Sequence, residues 1–322
     1  MDEKERAFYE AEAVRVEERK RQNHRRSHML QKWGEPQVVD NEGFVRLIDY
    51  MGDDNAVPQA ARVSYGAGTK TLLEDAQLIR FLMRNEHFSP FAMCQVKLHL
   101  RLPIYVHAQF VRHDRFHWNV MSARYSSMPD AKWAPEPVDV RAQGQGNKQV
   151  GNGQMEDEPQ RVLSSMIKDY NKQSASTYST LLEEGMCREQ ARTILPQGQY
   201  TEAYVTANLG DWLLFLKARL NPHAQLEIRL FAEAIYSVLS DLFPITMEAF
   251  KDYQLDGVKL SAQEMETLKG LLNGDMGCWL DEHGEPTEPV TVNLLLPEVR
   301  KALLEVHIPT KRERQEFWKK IT

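Results

Sequence analysis

From Gln95 to Leu102 the sequence alternates, with Val96, Leu98, Leu100 and Leu102 on one side and Gln95, Lys97, His99 and Arg101 on the other. A period of two with one apolar face predicts a half-buried strand, and such a strand needs a sheet lying against a core. Pro103 follows, and its fixed φ suits the first turn of a helix running toward Arg112. Helical spacing recurs at Glu74–Arg84, at Arg161–Glu184 and at Ala224–Leu242, where Leu226, Leu230, Ala234, Val238 and Leu242 step by four. Residues 1–26 mix eight basic with seven acidic side chains, which predicts an exposed helix or a frayed arm. Arg141–Pro159 is rich in Gly, Gln and Asn and is expected to be a long surface loop, either a lid or an insertion. After Asp252 come short amphipathic pieces at Ser261–Leu272 and Leu296–Val306, then a charged helix from Lys311. The expected fold is α+β and helix-rich, with its strands clustered early. The expected organisation is an arm over 1–35, a main domain over 36–256 with a flexible loop at 141–159, and a helical C-terminal extension over 257–322.

Composition excludes several classes. No stretch approaches the roughly 18 apolar residues of a spanning helix, and the N-terminus lacks the apolar core of a secretory signal, so no membrane association is expected. The 3 cysteines, Cys94, Cys187 and Cys278, are odd in number and form no CxxC pair. That argues against a disulfide framework or a cysteine-rich zinc site and fits a reducing cytoplasm. A net charge of −6 argues against binding to polymeric nucleic acid, but leaves room for a locally basic pocket.

Such a pocket has an obvious source. Between Lys97 and Arg124 lie five Lys/Arg, four His and a single acid, Asp114. A positive stretch inside an acidic protein points to an anionic ligand, most commonly phosphate. Ser122 and Arg124 are two apart, so on an extended segment both would face the same way and clasp a phosphate. A solvated basic face is the competing reading, although Trp118, Met121 and Tyr125 make full exposure unfavourable. His113 and His117 have the spacing of helical zinc ligands, but no Glu follows His113 and no third ligand is near, so no metal is expected. There is no G-x-S-x-G, no P-loop and no glycine-rich turn between a strand and a helix, which sets aside serine hydrolases and nucleotide folds of the Walker and Rossmann kinds. Arg192 lies at a helix end stopped by Pro196. Arg219 precedes Asn221–Gln225, a turn expected to bring it near the start of the next helix, where anions are favoured.

The segment Arg112-His113 through Ser122-Ala123-Arg124-Tyr125-Ser126 resembles the R-H-R…S motif of flavin-dependent thymidylate synthases. Further matches occur in the family's order: Ala60–Tyr65, Glu86–Phe91, Gln109, Ala191-Arg192 with Leu195-Pro196, Asn208-Leu209, and Arg219 with His223–Gln225 and Glu227–Arg229. They cover Val38 to Tyr253. The resemblance implies a homotetramer with active sites between subunits. It implies FAD as cofactor, a pyrimidine deoxynucleotide (dUMP) as substrate, and methylenetetrahydrofolate and NADPH as co-substrates. Carried over by position, Gln109, Arg112, Ser122, Ala123, Arg124, Arg192 and Arg219 form the deoxynucleotide site, and Arg219 is the catalytic group that favours an ionised pyrimidine ring. His87, Ser89, Arg112, His113, Asn208 and His223 contact FAD. A guanidinium stays charged at any working pH, so it stabilises an anionic ring without being a proton source.

The departures fall on base and flavin contacts rather than on the phosphate grip. Asp114 stands where the family has Arg, His117 where it has Ser and Val120 where it has Glu. Gly210 and Leu214 replace an Arg and an Asn, and Ala92 replaces a Glu. Losing polar partners at a site built to hydrogen-bond one base alters discrimination. Three readings follow from the sequence: dTMP synthesis, C5 hydroxymethylation of dUMP or dCMP, and a non-catalytic nucleotide-binding member.

Overall fold

The computed structural model describes residues 17, 20–21, 23–63, 72–144, 151–153 and 155–258. The chain divides into two compact units, Met1–Asp256 and Gly257–Thr322, and all but the last two described residues belong to the first. The pieces predicted at Ser261–Leu272, Leu296–Val306 and from Lys311 lie outside the described residues.

Five strands form one antiparallel sheet in the order β1-β2-β3-β7-β4. These are β1 (Gln37–Val38), β2 (Phe44–Met51), β3 (Gln95–Pro103), β4 (His117–Val120) and β7 (Tyr200–Asn208); β5 (Ala142–Gln143) and β6 (Gly151–Gly153) make a separate two-stranded ladder. The alternation predicted for β3 is realised: Val96, Leu98, Leu100 and Leu102 are fully buried. Val45 and Leu47 of β2 and Ala203, Val205 and Ala207 of β7 belong to the same buried set. The expectation that strands cluster early fails at β7, which pairs with β3 over nine positions from Gln95↔Asn208 to Pro103↔Tyr200 and with β4 over four. Its own alternation, Ala203/Val205/Ala207 against Glu202/Tyr204/Thr206, carried the signal, but small alanines make a weak apolar stripe.

The helices are α1 (residues 23–33), α2 (Ala56–Arg62), α3 (Leu72–Arg84), α4 (Ile104–Phe110), α5 (Asp157–Glu183), α6 (Arg188–Ala191), α7 (Leu209–Arg219), α8 (Leu226–Leu242) and α9 (Pro244–Phe250). The core is built from the apolar face of the sheet together with Ile79 and Met83 of α3, Trp212 and Phe215 of α7, and Phe231 and Ile235 of α8, all fully buried. Burying an aromatic side chain of this size contributes about 2–3 kcal/mol each. α5 begins four residues before the predicted Arg161, because Asp157, Glu158 and Pro159 are favourable first-turn residues. The predicted loop at 141–159 therefore holds β5, β6 and the first turn of α5. No helix among the described residues is long and apolar enough to cross a membrane.

Candidate active site

α4 stops at Phe110, short of the predicted Arg112. The chain then turns, closed by His113 N–H to Phe110 O at 3.0 Å and Phe116 N–H to His113 O at 3.2 Å. Aromatic packing decides this. Phe116 is buried against Trp212, with ring centroids 4.5 Å apart, and Phe110 stacks on Phe215 at 4.5 Å, while β4 must start at His117 to reach Thr206. A helix through this stretch would carry Phe116 away from α7. The turn leaves Arg112, Asp114 and Arg115 exposed and holds His113 edge-on to Phe215 at 5.1 Å. His113 thus sits in a turn and His117 in a strand, so the helical spacing behind the zinc reading does not exist. Among the described residues no group of three metal-ligating side chains occurs.

Arg219, the last residue of α7, reaches this turn. Its Nε donates to Nε2 of His113 at 3.2 Å, and its Nη2 donates to the backbone oxygen of Gln109 at 3.3 Å. Burial and then the charge of Arg112, the chain neighbour of the His113 that Arg219 bonds, pull the Arg219 pKa down. Burial and then Arg219 also lower the His113 pKa, partly opposed by Asp114. Arg112 makes no hydrogen bond or ion pair among the described residues. Two neighbouring cations, neither with an anionic partner among the described residues, make a place where an anion is strongly favoured. The expected approach of Arg219 to the start of α8 occurs through an intermediary. Gln109 Nε2 donates to Gln225 Oε1 at 2.6 Å, and Gln225 is the N-cap residue of α8.

Ser122 and Arg124 do not lie on an extended segment. The N–H groups of Tyr125 and Ser126 both reach Ser122 O, and Arg124 N–H donates to Ser122 Oγ at 3.3 Å, so Ser122 opens a turn that includes the buried Ala123. The Ser122 hydroxyl accepts within the turn and keeps its own proton to donate outward. The Arg124 guanidinium pairs at 3.3 Å with Glu189 of α6, both being largely exposed, a contact of small worth. Arg192 follows in the short 3-10 turn Arg192–Ile194, is exposed, and makes no hydrogen bond or ion pair among the described residues. No hydrogen bond or ion pair joins Arg124 or Arg192 to the Arg112–Arg219 group among the described residues.

The residues assigned to the flavin by resemblance are distributed differently. The chain leaves α3 through Glu86 at φ 57°, with His87 N–H reaching Leu82 O at 2.9 Å and Glu86 N–H reaching Met83 O at 3.2 Å. This helix-ending motif turns the chain so that His87 and Ser89 emerge exposed. Asn208 caps α7: its Oδ1 accepts from Asp211 N–H at 2.9 Å and its Nδ2 donates to the Asp211 carboxylate, so both ends of the amide are engaged. Asp211 also takes Arg115 at 3.3 Å, which ties the motif turn to the start of α7. A Cβ at Gly210 would lie 3.2 Å from Asn208 Oδ1 and 3.5 Å from Phe88 O, so the α7 terminus sits close against the His87–Ser89 loop. His223 is exposed in the α7–α8 turn, where its N–H donates to Asn221 Oδ1 at 2.9 Å.

Sequence reasoning gave no role to Phe116, Asp211, Gln225, Glu227 or Arg141. The first two have visible signals, an aromatic within a polar motif and an acid three residues after an N-cap. The Arg141–Glu227 contact spans a separation no local pattern reveals.

A cluster of arginines on a helix-covered antiparallel sheet defines an α+β protein with a place for an anionic ligand. Residues 46–245 match the family described as thymidylate synthase complementing protein. The chain is 41% identical over 243 residues to a flavin-dependent thymidylate synthase of Wolbachia pipientis wMel, covering 75% of this chain and 84% of that one. It is 43% identical over 238 residues to a flavin-dependent thymidylate synthase of Thermus thermophilus, covering 74% and 86%. Among solved structures it is similar to a UMP/dUMP methylase, PolB, from Streptomyces cacaoi, with a TM-score of 0.61, 29% identity, and coverage of 67% of this chain and 96% of that one. This chain belongs to the flavin-dependent thymidylate synthase family.

A flavin dinucleotide needs cations for its pyrophosphate and surface-facing hydrogen-bonding groups. The Arg112 guanidinium, which has no ion pair among the described residues, and the exposed His87 and Ser89, in a loop that the α7 terminus packs against, are groups of the kinds such a cofactor needs, so the residues present fit it.

Proposed function

We propose that this chain converts dUMP to dTMP, with methylenetetrahydrofolate as carbon donor and NADPH as reductant. Arg112, Ser122, Arg124 and Arg192 grip the 5′-phosphate, with the buried Ala123 as the pivot of the Ser122–Arg124 turn. Gln109 and Arg219 face the nucleoside. Arg112, His113, His87 and Ser89 hold FAD, with His223 at the rim and Asn208 keeping the α7 terminus in place. When bound, FAD supplies the redox chemistry. The observation that carries this reading is the fixed position of Arg219, bonded to both Gln109 O and His113 Nε2 with Arg112 beside it. A guanidinium held there stabilises negative charge on a pyrimidine ring as C5 becomes nucleophilic. Phosphate bound by the arginines then places that ring against the flavin, so that orientation is settled before reaction.

The assembly in this reading is a homotetramer, and Arg124 and Arg192, which no hydrogen bond or ion pair joins to Arg112 or Arg219 among the described residues, complete the site across a subunit boundary. The deciding experiment supplies dUMP, methylenetetrahydrofolate and NADPH to purified flavin-loaded protein and weighs the product. dTMP that forms only with NADPH is expected. A hydroxymethyl product, or none, overturns the reading. Sedimentation should give four chains per particle, and a monomer would remove the shared-site account.

A further inference from the structure

The Gln109 amide is one end of a hydrogen-bonded series that terminates on a buried carboxylate. Gln109 Nε2 donates to Gln225 Oε1 at 2.6 Å, and Gln225 Nε2 donates to Glu227 Oε2 at 2.7 Å. The other oxygen of Glu227 takes Arg141 Nη2 at 2.7 Å. Glu227 lies in the first turn of α8 and is 7% exposed, and Arg141 directly precedes β5.

We propose that Glu227 is a positioning residue that sets the direction of this series, so that Gln109 presents its oxygen to the nucleotide and recognises a hydrogen-bond donor on it. An ionised carboxylate can only accept. Gln225 must therefore turn its NH₂ toward Glu227 and its oxygen toward Gln109. Gln109 must answer with its own NH₂, which leaves Oε1 as the group free for a ligand; that oxygen has no partner among the described residues. Without a fixed end, each primary amide reverses at little cost, because its two ends are nearly the same size. Arg141 secures the arrangement by bonding the other carboxylate oxygen and holding the group in place. The recognised donor is a sugar hydroxyl or a ring N–H of the nucleotide. The inference rests on the reading that the nucleotide lies against Arg112 and Gln109.

The test is a double-mutant cycle on dUMP affinity in the flavin-loaded protein. Glu227→Gln ends the series on a group that can donate as well as accept, so the direction is lost and dUMP should bind about tenfold more weakly. In a Gln109→Ala background the same substitution should change affinity less than about twofold, because there is nothing left for it to orient. Gln225→Leu, at an exposed position, should reproduce both results if Glu227→Gln does not fold. Equal losses in the two backgrounds would mean a merely structural role and overturn the inference, as would an undiminished affinity in Glu227→Gln. Arg112→Ala is the separate control. If it leaves dUMP affinity intact, the placement of the nucleotide fails; if it weakens binding while the cycle shows no coupling, only the positioning role fails.

Discussion

Arg219 Nε donates to Nε2 of His113 across 3.2 Å, and this one bond fixes both the charge and the tautomer of the imidazole. A ring nitrogen that accepts a hydrogen bond carries no proton, so His113 is neutral with its proton on Nδ1. The arrangement is self-consistent, since burial and the guanidinium both disfavour the imidazolium.

His113 should therefore titrate below the ordinary histidine value of about 6.5. With the folded pKa lowered, the unfolded chain binds more protons between the two values, so stability rises with pH across that window. The contribution is complete above about 6.5 and is lost as pH falls from there through the folded pKa. Nitrogen-15 NMR of the imidazoles should show the Nδ1–H form at neutral pH, and a midpoint at or above about 6.5 for His113 would contradict the bond.

Arg219→Ala should lower turnover at least about a hundredfold, the usual scale for removing a group aimed at developing negative charge. dUMP affinity should fall much less, because the phosphate arginines remain. The same variant should raise the His113 pKa, since the second cause of its depression has gone. Arg219→Lys should recover little, because an ammonium cannot donate in two fixed directions as the guanidinium does here. Steady-state kinetics beside an NMR titration reads both effects, and turnover near wild type in Arg219→Ala would end its catalytic assignment.

Asn208→Ala removes the α7 N-cap and one partner of the buried Asp211. The expected cost is about 1–2 kcal/mol, seen as a Tm lower by roughly 2–8 °C in a domain of this size. Flavin affinity should change only as far as the terminus frays, so Asn208→Asp or Asn208→Ser, which also cap, should restore most of it. Thermal melts paired with flavin titrations check this. A capping variant that melts normally yet loses flavin would give Asn208 a direct contact.

Cys94 is fully buried, and burial pushes its thiol pKa up to about 12, so almost no thiolate exists at neutral pH. Cys187 is exposed at the start of α6. Cys94→Ala should keep its turnover, and alkylation of the native protein at mildly alkaline pH should modify Cys187 while sparing Cys94, as peptide mass mapping would show. Loss of activity in Cys94→Ala without loss of fold would give this buried thiol a part in the chemistry.

What the sequence disclosed and what it hid divide along the range of the forces involved. β3 was legible because Val96 to Leu102 repeat a period of two strongly, and α3 and α8 because their apolar stripes are long. The α4 boundary was not legible: Pro103 starts a helix by local stereochemistry, but its end is set by Phe116 seeking Trp212 and Phe215, far along the chain. Ser122 and Arg124 were paired by proximity in sequence on an extended segment, and their relation is instead a turn made by Ser122 O and Oγ. The long-range contacts of Gln109 with Gln225 and of Arg219 with His113 depend on α7 returning to the motif, which no local pattern states.

The sheet order also determines when this site comes into being. β4 has β7 as its neighbour in the sheet, and Gln109 and His113 find their partners beyond the end of that strand. During synthesis the motif thus emerges long before α7 and the start of α8, which hold it, and β3, already beside β2, waits as long for its second neighbour, β7. Pairings separated this widely pay their loop-closure entropy early and gain their contacts late. A chain halted before β7 would expose the apolar face of a half-built sheet together with an unorganised cluster of arginines. The binding site is therefore among the last parts of the domain to form, and its presence reports that the rest has folded.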